Sequence, residues 1–174
     1  MDQNNAFQLV GLEPADFAPL FALSDAELQQ RNARRVTATS EHGFPCRISL
    51  EDARVGDELI LLPYVHQPAA SPYRASGPIF VRRGVAQRKK LAVGEVSEYV
   101  TRRVISLRGY DAEHMLHVAD VVEGAAIKPR IAHMLAEPKV AYIHVHNAKH
   151  GCYFCSVERV PGRARRLNDV HTRV

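Results

Sequence analysis

The 174-residue sequence predicts an α+β domain with a mainly antiparallel sheet. Three observations point that way. Short runs rich in apolar and β-branched residues recur along most of the chain, set apart by Gly, Pro and Asp turn signals. Only two or three segments carry helical spacing. Strands and helices do not alternate and no GxGxxG follows a strand, which excludes a doubly wound dinucleotide fold. So many strands leave a barrel-like closure of the sheet within the expectation.

The first element is a short helix. Ser24-Asp25-Ala26-Glu27 has Ser at the N-cap and Glu three residues on, a reciprocal capping box, and the helix should run to about Asn32 or Ala33. Upstream, Phe17, Leu20, Phe21 and Leu23 are expected to pack as a loop or turn against the core. Arg35–Thr39 and Cys46–Leu50 read as strands separated by the turn His42-Gly43-Phe44-Pro45. Glu58–Val65 is an apolar run suited to a central strand that ends at His66, and Pro78–Arg83 follows the Pro-rich connection Pro68–Pro78. Val96, Tyr99 and Val100 sit at i, i+3 and i+4, which favours a helical turn or two within Glu95–Arg103. Val104–Tyr110 and Met115–Val122 flank Asp111-Ala112-Glu113-His114 as a hairpin. A helix over about Ala126–Ala136 puts Ile127, Ile131, Met134 and Leu135 on one face, with Pro129 in its first turn. Val140–His146 and Cys152–Val160 form the last hairpin, around the loop Asn147–Gly151.

Composition narrows the class. With 24% charged and 46% hydrophobic residues, the chain is no polar disordered segment. A chain of this size buries about 70% of its extended surface, enough for a core without staples. No apolar run approaches the roughly 18 residues of a membrane span, so no membrane association is expected. Met1-Asp2-Gln3-Asn4-Asn5 lacks a cationic start, so no secretory signal is expected. Three cysteines form no disulfide framework and fit a reducing cytoplasm. Arg163, Arg165, Arg166 and Arg173 against Asp169 give the tail a net +3 of the chain's +4. The expected organisation is one globular domain, 1–160, and a flexible basic tail, 161–174. A near-neutral body makes nucleic acid an unexpected partner except through that tail.

The segment Tyr142-Ile143-His144-Val145-His146-Asn147 carries most chemistry. In a strand Ile143 and Val145 face the core, and Tyr142, His144 and His146 face the other way, roughly 6–7 Å apart in succession. Two imidazoles at i and i+2 can chelate a metal once a third ligand joins them, and His66 is the first candidate. Such a site would hold Zn²⁺ or Fe²⁺ on His66, His144 and His146, with a nitrogen from each within about 4–5 Å of the others. The same face also reads as a metal-free polar pocket or a structural surface.

A second constellation is the stiff segment Ser71-Pro72-Tyr73-Arg74-Ala75-Ser76, where Arg74 beside Tyr73 can fork a carboxylate or phosphate, or bridge to a neighbouring carboxylate. A third is Cys46-Arg47, a thiol beside a guanidinium, the electropositive setting that favours a thiolate; a buried structural cysteine is the plainer alternative. Cys152-Tyr153-Phe154-Cys155 has CxxC spacing, but residues three apart on a strand face opposite sides and no helix follows, so only Cys152 is kept as a site candidate. The leading functional reading is a small anionic molecule held in a His/Arg-lined pocket by Arg47, His66, Tyr73, Arg74, Arg82 and Asn147. An enzymatic version uses His144 or His146 as acid or base, or Cys46 or Cys152 as nucleophile. The competing classes are a His-ligated metal protein and a non-catalytic interaction module acting through the tail.

Gly43-Phe44-Pro45-Cys46-Arg47, His66-Gln67-Pro68, Ser71-Pro72-Tyr73-Arg74-Ala75-Ser76 with Ile79-Phe80-Val81-Arg82, Leu107-Arg108-Gly109-Tyr110-Asp111, and Tyr142 through Cys152 together resemble the bacterial family known as domain of unknown function 1203. The resemblance covers roughly Phe7–Val160. It implies a small single-domain bacterial protein and brings no activity with it. The tail beyond Pro161 and Cys155 lie outside the pattern.

Overall fold

Strand-forming runs of two to ten residues give two sheets, not one, in a computed structural model that describes residues 6–160. The basic tail lies outside the described residues, as does any role assigned to it. The first sheet takes the order β1 (Phe7–Val10), β10 (Tyr153–Arg159), β9 (Tyr142–Asn147), β7 (Val104–Tyr110), β8 (Leu116–Glu123), with every pair antiparallel. The second takes the order β2 (Arg34–Thr37), β5 (Glu58–Gln67), β6 (Ala75–Arg82), β3 (Pro45–Cys46), β4 (Glu51–Asp52). Only β3 and β6 run parallel there. Each sheet ends in two edge strands, so the barrel-like closure does not occur. The class is α+β as the sequence predicts.

Three short helices accompany the sheets: α1 (Asp25–Gln30), α2 (Glu98–Thr101) and α3 (Ile127–Ala136). Single 3₁₀ turns at Pro14–Asp16, Ala18–Ala22 and Gly124–Ala126 complete the helical content. The capping box of α1 is present: Ser24 Oγ accepts from the Glu27 amide, and the Glu27 carboxylate accepts from the Ser24 amide at 2.7 Å. Pro129 falls in the first turn of α3, where its missing N–H costs no helical bond.

Period-two alternation sorts the first sheet. Ile105, Leu107, Ile143, Val145 and Val157 bury one face against Ile131, Met134 and Leu135 of α3. A second apolar cluster gathers Phe17, Leu28, Ile48, Ile60, Ile79, Val81 and Tyr153 around the other sheet. Burial of each Ile or Leu contributes about 1.5–3 kcal/mol. Polar contacts tie the sheets together. The amides of Gly11 and Leu12, just past β1, donate to Lys89 O and Arg47 O at 2.8 Å. A Cβ on Gly11 would lie 2.3 Å from Ile48 O, so only glycine fits that approach. Asp52, nearly buried, takes guanidinium contacts from Arg102 and Arg103 beside α2.

Boundaries shift where backbone bonds go elsewhere. The expected strand Cys46–Leu50 pairs only at Pro45–Cys46, because Arg47–Leu50 coils into a turn closed by Leu50 N to Cys46 O, with Leu50 at φ 53. β1 has no counterpart among the expected elements. Three register irregularities stand around one place in the fold: in β5 between Tyr64 and Gln67, where β7 meets β8 at Gly109 and Tyr110, and in β10 between Tyr153 and Cys155.

Candidate functional site

The polar face of β9 looks away from α3. Tyr142 and His144 have ring centroids 5.2 Å apart, and His144 and His146 are 6.1 Å apart, as alternation requires. From the second sheet, β5 contributes His66. Its irregularity leaves Val65 and His66 outside the ladder and buries two consecutive residues, His66 and Gln67, where strict alternation would bury one. One ligand-capable atom from each of His66, His144 and His146 lies within 4.8 Å of the other two, inside the expected range. All three side chains are buried, His146 completely.

Tyr153 completes this centre. Its ring stacks on His66 at 5.4 Å and 2°, and meets His144 and His146 edge-on at 5.2 and 5.6 Å. The bulge in β10 makes this possible: Tyr153 pairs with His146 and Cys155 with Val145, so Phe154 is the extra residue. Tyr153 therefore faces the histidines while Phe154 and Cys155 both join the apolar core.

The hydrogen bonding of the trio is incomplete. His146 Nδ1 is 3.0 Å from Gly151 O, and a carbonyl can only accept, so the ring proton sits on Nδ1 and the Nε2 lone pair is free. His146 Nε2, His66 Nδ1 and His144 Nδ1 are buried with no hydrogen-bond partner among the described residues. Burial disfavours the imidazolium, and the charge of Arg108 adds to it. His144 and His146 are held down to about 3, and His66 is lowered below 6.5. At neutral pH all three rings are neutral, the form that donates a lone pair.

Arg108 stands opposite His144 in the β7–β9 register, with Ser106 opposite His146 and Tyr110 opposite Tyr142. The Tyr110 phenol interacts with the side chains of Arg108 and Gln67. Gln67 Nε2 donates to the Tyr142 hydroxyl at 2.8 Å, which also meets His114 Nδ1 at 2.9 Å. The connection between β5 and β6 closes over this polar wall. Ser71 Oγ donates to His114 O at 3.3 Å, and the Tyr73 ring stands 6.4 Å from Tyr110.

The remaining candidates take other partners. Arg47 is buried. Its Nε donates to Tyr153 O at 2.8 Å, Nη1 donates to Pro45 O, and the guanidinium lies over Phe154. Arg74 is exposed and donates to Pro68 O, which pins the β5–β6 connection. Arg82 pairs with Asp57 at 3.1 Å. Asn147 Oδ1 accepts from the amides of Lys149 and His150, shaping the β9–β10 turn. Cys46 is fully buried in the second apolar cluster, and Cys152 is half-buried with Sγ 3.7 Å from His150 O. Cys155 is buried, and its thiol is pushed up to about 12. Two surface clefts, of about 500 and 260 Å³, lie elsewhere, one beside Asp25 and Arg35 and the other beside Phe17 and Arg83.

The family model described as protein of unknown function (DUF1203) matches residues 43–159. The chain belongs to the DUF1203 family. The DUF1203 match contains all three histidines, Arg108, Tyr110 and Tyr153, and leaves β1, α1 and β2 outside it. No curated protein and no solved structure matches this DUF1203 chain significantly. No helix among the described residues is long and apolar enough to cross a membrane. Arg108, Tyr110, Gln67 and Tyr153 were not among the expected site residues. Alternation in Val104–Tyr110 puts Arg108 and Tyr110 on the face opposite Ile105 and Leu107, a usable signal, whereas Tyr153 depends on a bulge that composition does not mark.

Proposed function

We propose that this DUF1203 protein binds a divalent transition-metal ion, Zn²⁺ or Fe²⁺, through His66, His144 and His146. The observation that carries the reading is the convergence of three buried neutral imidazoles from two sheets, with nitrogens within 4.8 Å. Metal–nitrogen bonds near 2.1 Å set tetrahedral ligands about 3.4 Å apart, so each ring of the widest pair moves inward by about 0.7 Å. An unpaired buried nitrogen on every ring supports the reading, because buried polar atoms otherwise find partners. So does the Gly151 carbonyl, which fixes the His146 tautomer as second-layer acceptors do in metal sites. A three-histidine set leaves a coordination position for an exogenous ligand. Acid or base catalysis by His144 or His146 is less well supported, since groups held to about 3 have few protons to donate at neutral pH and are weak bases.

The test is metal uptake by chelator-stripped protein. One equivalent of Zn²⁺ per chain should bind and raise the melting temperature, by linkage. His144→Ala and His146→Ala should lose both effects while keeping the circular dichroism of the folded chain. No uptake by the wild type, or uptake unchanged in both variants, overturns the reading.

A further inference from the structure

Arg108 is unlike most arginines of the fold. Arg35, Arg82, Arg83, Arg88, Arg102, Arg103 and Arg130 each meet a carboxylate, and Arg47 and Arg74 donate to backbone carbonyls. Arg108 is half-buried and meets the Tyr110 phenol, and among the described residues no carboxylate pairs with it. It stands directly opposite His144, and on one sheet face such neighbours have Cβ atoms about 5 Å apart.

No carboxylate among the described residues makes an ion pair with Arg108, and the two that act on the surrounding tyrosines, Asp111 on Tyr142 and Glu158 on Tyr153, do so through charge alone. The rings in contact with the trio belong to Tyr110, Tyr142 and Tyr153, and Gln67 fills the space between the phenols. Asp111, the acidic residue nearest Tyr142 in influence, has its Oδ1 taken by the amides of Glu113 and Met115. A divalent ion on three neutral histidines would leave local charge near +3 with Arg108, in a place largely shut off from water. Charges so placed require counter-charge.

Resting on the metal reading, we infer that the site takes a small oxyanion, a carboxylate or phosphate group, with one oxygen on the metal and another on the Arg108 guanidinium. The planar fork of arginine suits a group with two oxygens on one centre. The Tyr110 hydroxyl stands beside Arg108 as a further donor. The anion fills the coordination position that three histidines leave open.

The experiment uses the full chain loaded with Co²⁺, whose visible bands report a change of coordination. Inorganic phosphate and acetate are titrated separately, which distinguishes the two oxyanion classes. The wild type should show a saturable spectral change with at least one of them. Arg108→Gln should bind that anion about ten- to a hundredfold more weakly at unchanged Co²⁺ content, the range expected for a charge-assisted hydrogen bond. Arg108→Lys, which keeps the charge without the fork, should fall between them and guards against a folding defect in the glutamine variant. No spectral response to either anion, or equal affinities in all three proteins, overturns the inference and leaves the metal reading standing. Failure of the wild type to take up Co²⁺ overturns both.

Discussion

Acidifying the metal-free protein from pH 7 to pH 5 should remove about 4 kcal/mol of folding stability. His144 and His146 sit near 3 in the folded chain and return to about 6.5 when it unfolds. Between those values the unfolded state binds protons that the folded state refuses, so stability rises with pH. The contribution is complete above about 6.5 and is lost as pH falls towards 3. Each pH unit within that window is worth about 1.4 kcal/mol per group, so at pH 5 each histidine has lost about 2 kcal/mol. His66, lowered as well, acts in the same direction. The carboxylates of Glu27, Asp57 and Glu58 lie below 4.5, 3.8 and 4.5, so their own loss begins under pH 5 and does not mix with this one. Urea unfolding with a chelator present is the assay. With an m-value of about 2 kcal/mol per molar, the midpoint should drop by about 2 M. His146→Leu should halve the slope against pH. A midpoint that holds steady from pH 7 to pH 5 would refute the claim that these imidazoles are buried and neutral.

Three further outcomes follow from the packing. A thiol reagent should modify one cysteine, Cys152, in the native protein and all three in denaturant, because Cys46 and Cys155 are fully buried; rapid native reaction of two or more thiols would contradict this. Asp52→Ala should cost about 3–5 kcal/mol in chemical denaturation, since it strands Arg102 and Arg103 around a nearly buried carboxylate position; a loss under 1 kcal/mol would mark an ordinary surface pair. Gly11→Ala should lower stability by about 2–4 kcal/mol or abolish soluble expression, because its Cβ meets backbone at 2.3 Å; a wild-type melting temperature would show that the strand end can move.

Legibility from sequence tracked the rules each residue obeys. His144 and His146 share a face because β9 is a regular strand, and period two is visible in the letters. The Ser24 box and Pro129 mark helix starts through local bonding alone. The approach of His66 is another matter. It depends on an irregularity in β5 and on two sheets meeting, and neither leaves a periodic trace. The same holds for Tyr153, whose orientation needs Phe154 as an unpaired residue. Cys46–Leu50 has the apolar pattern of a strand, yet tertiary contacts of Arg47 and the close passage of Gly11 turn it into a coil. β1, four residues long, has too few positions for its alternation to stand out, and it is defined by pairing with β10.

The unpaired residue in β10 has a consequence for how the chain tolerates change in length. Phe154 is one residue too many for the ladder, so deleting it would leave Tyr153 and Cys155 in their present phase. Deleting either neighbour would also close the ladder, but Phe154 would then take the place of Tyr153 beside the histidines or of Cys155 in the core. The surplus residue is nevertheless fully occupied: its ring lies 5.0 Å from Tyr99 and within 5.4 Å of both the Arg47 and Arg103 guanidinium carbons. Phe154 is thus free with respect to register and fixed with respect to packing, a hinge between Tyr153 beside the histidines and the continuous ladder that begins at Cys155.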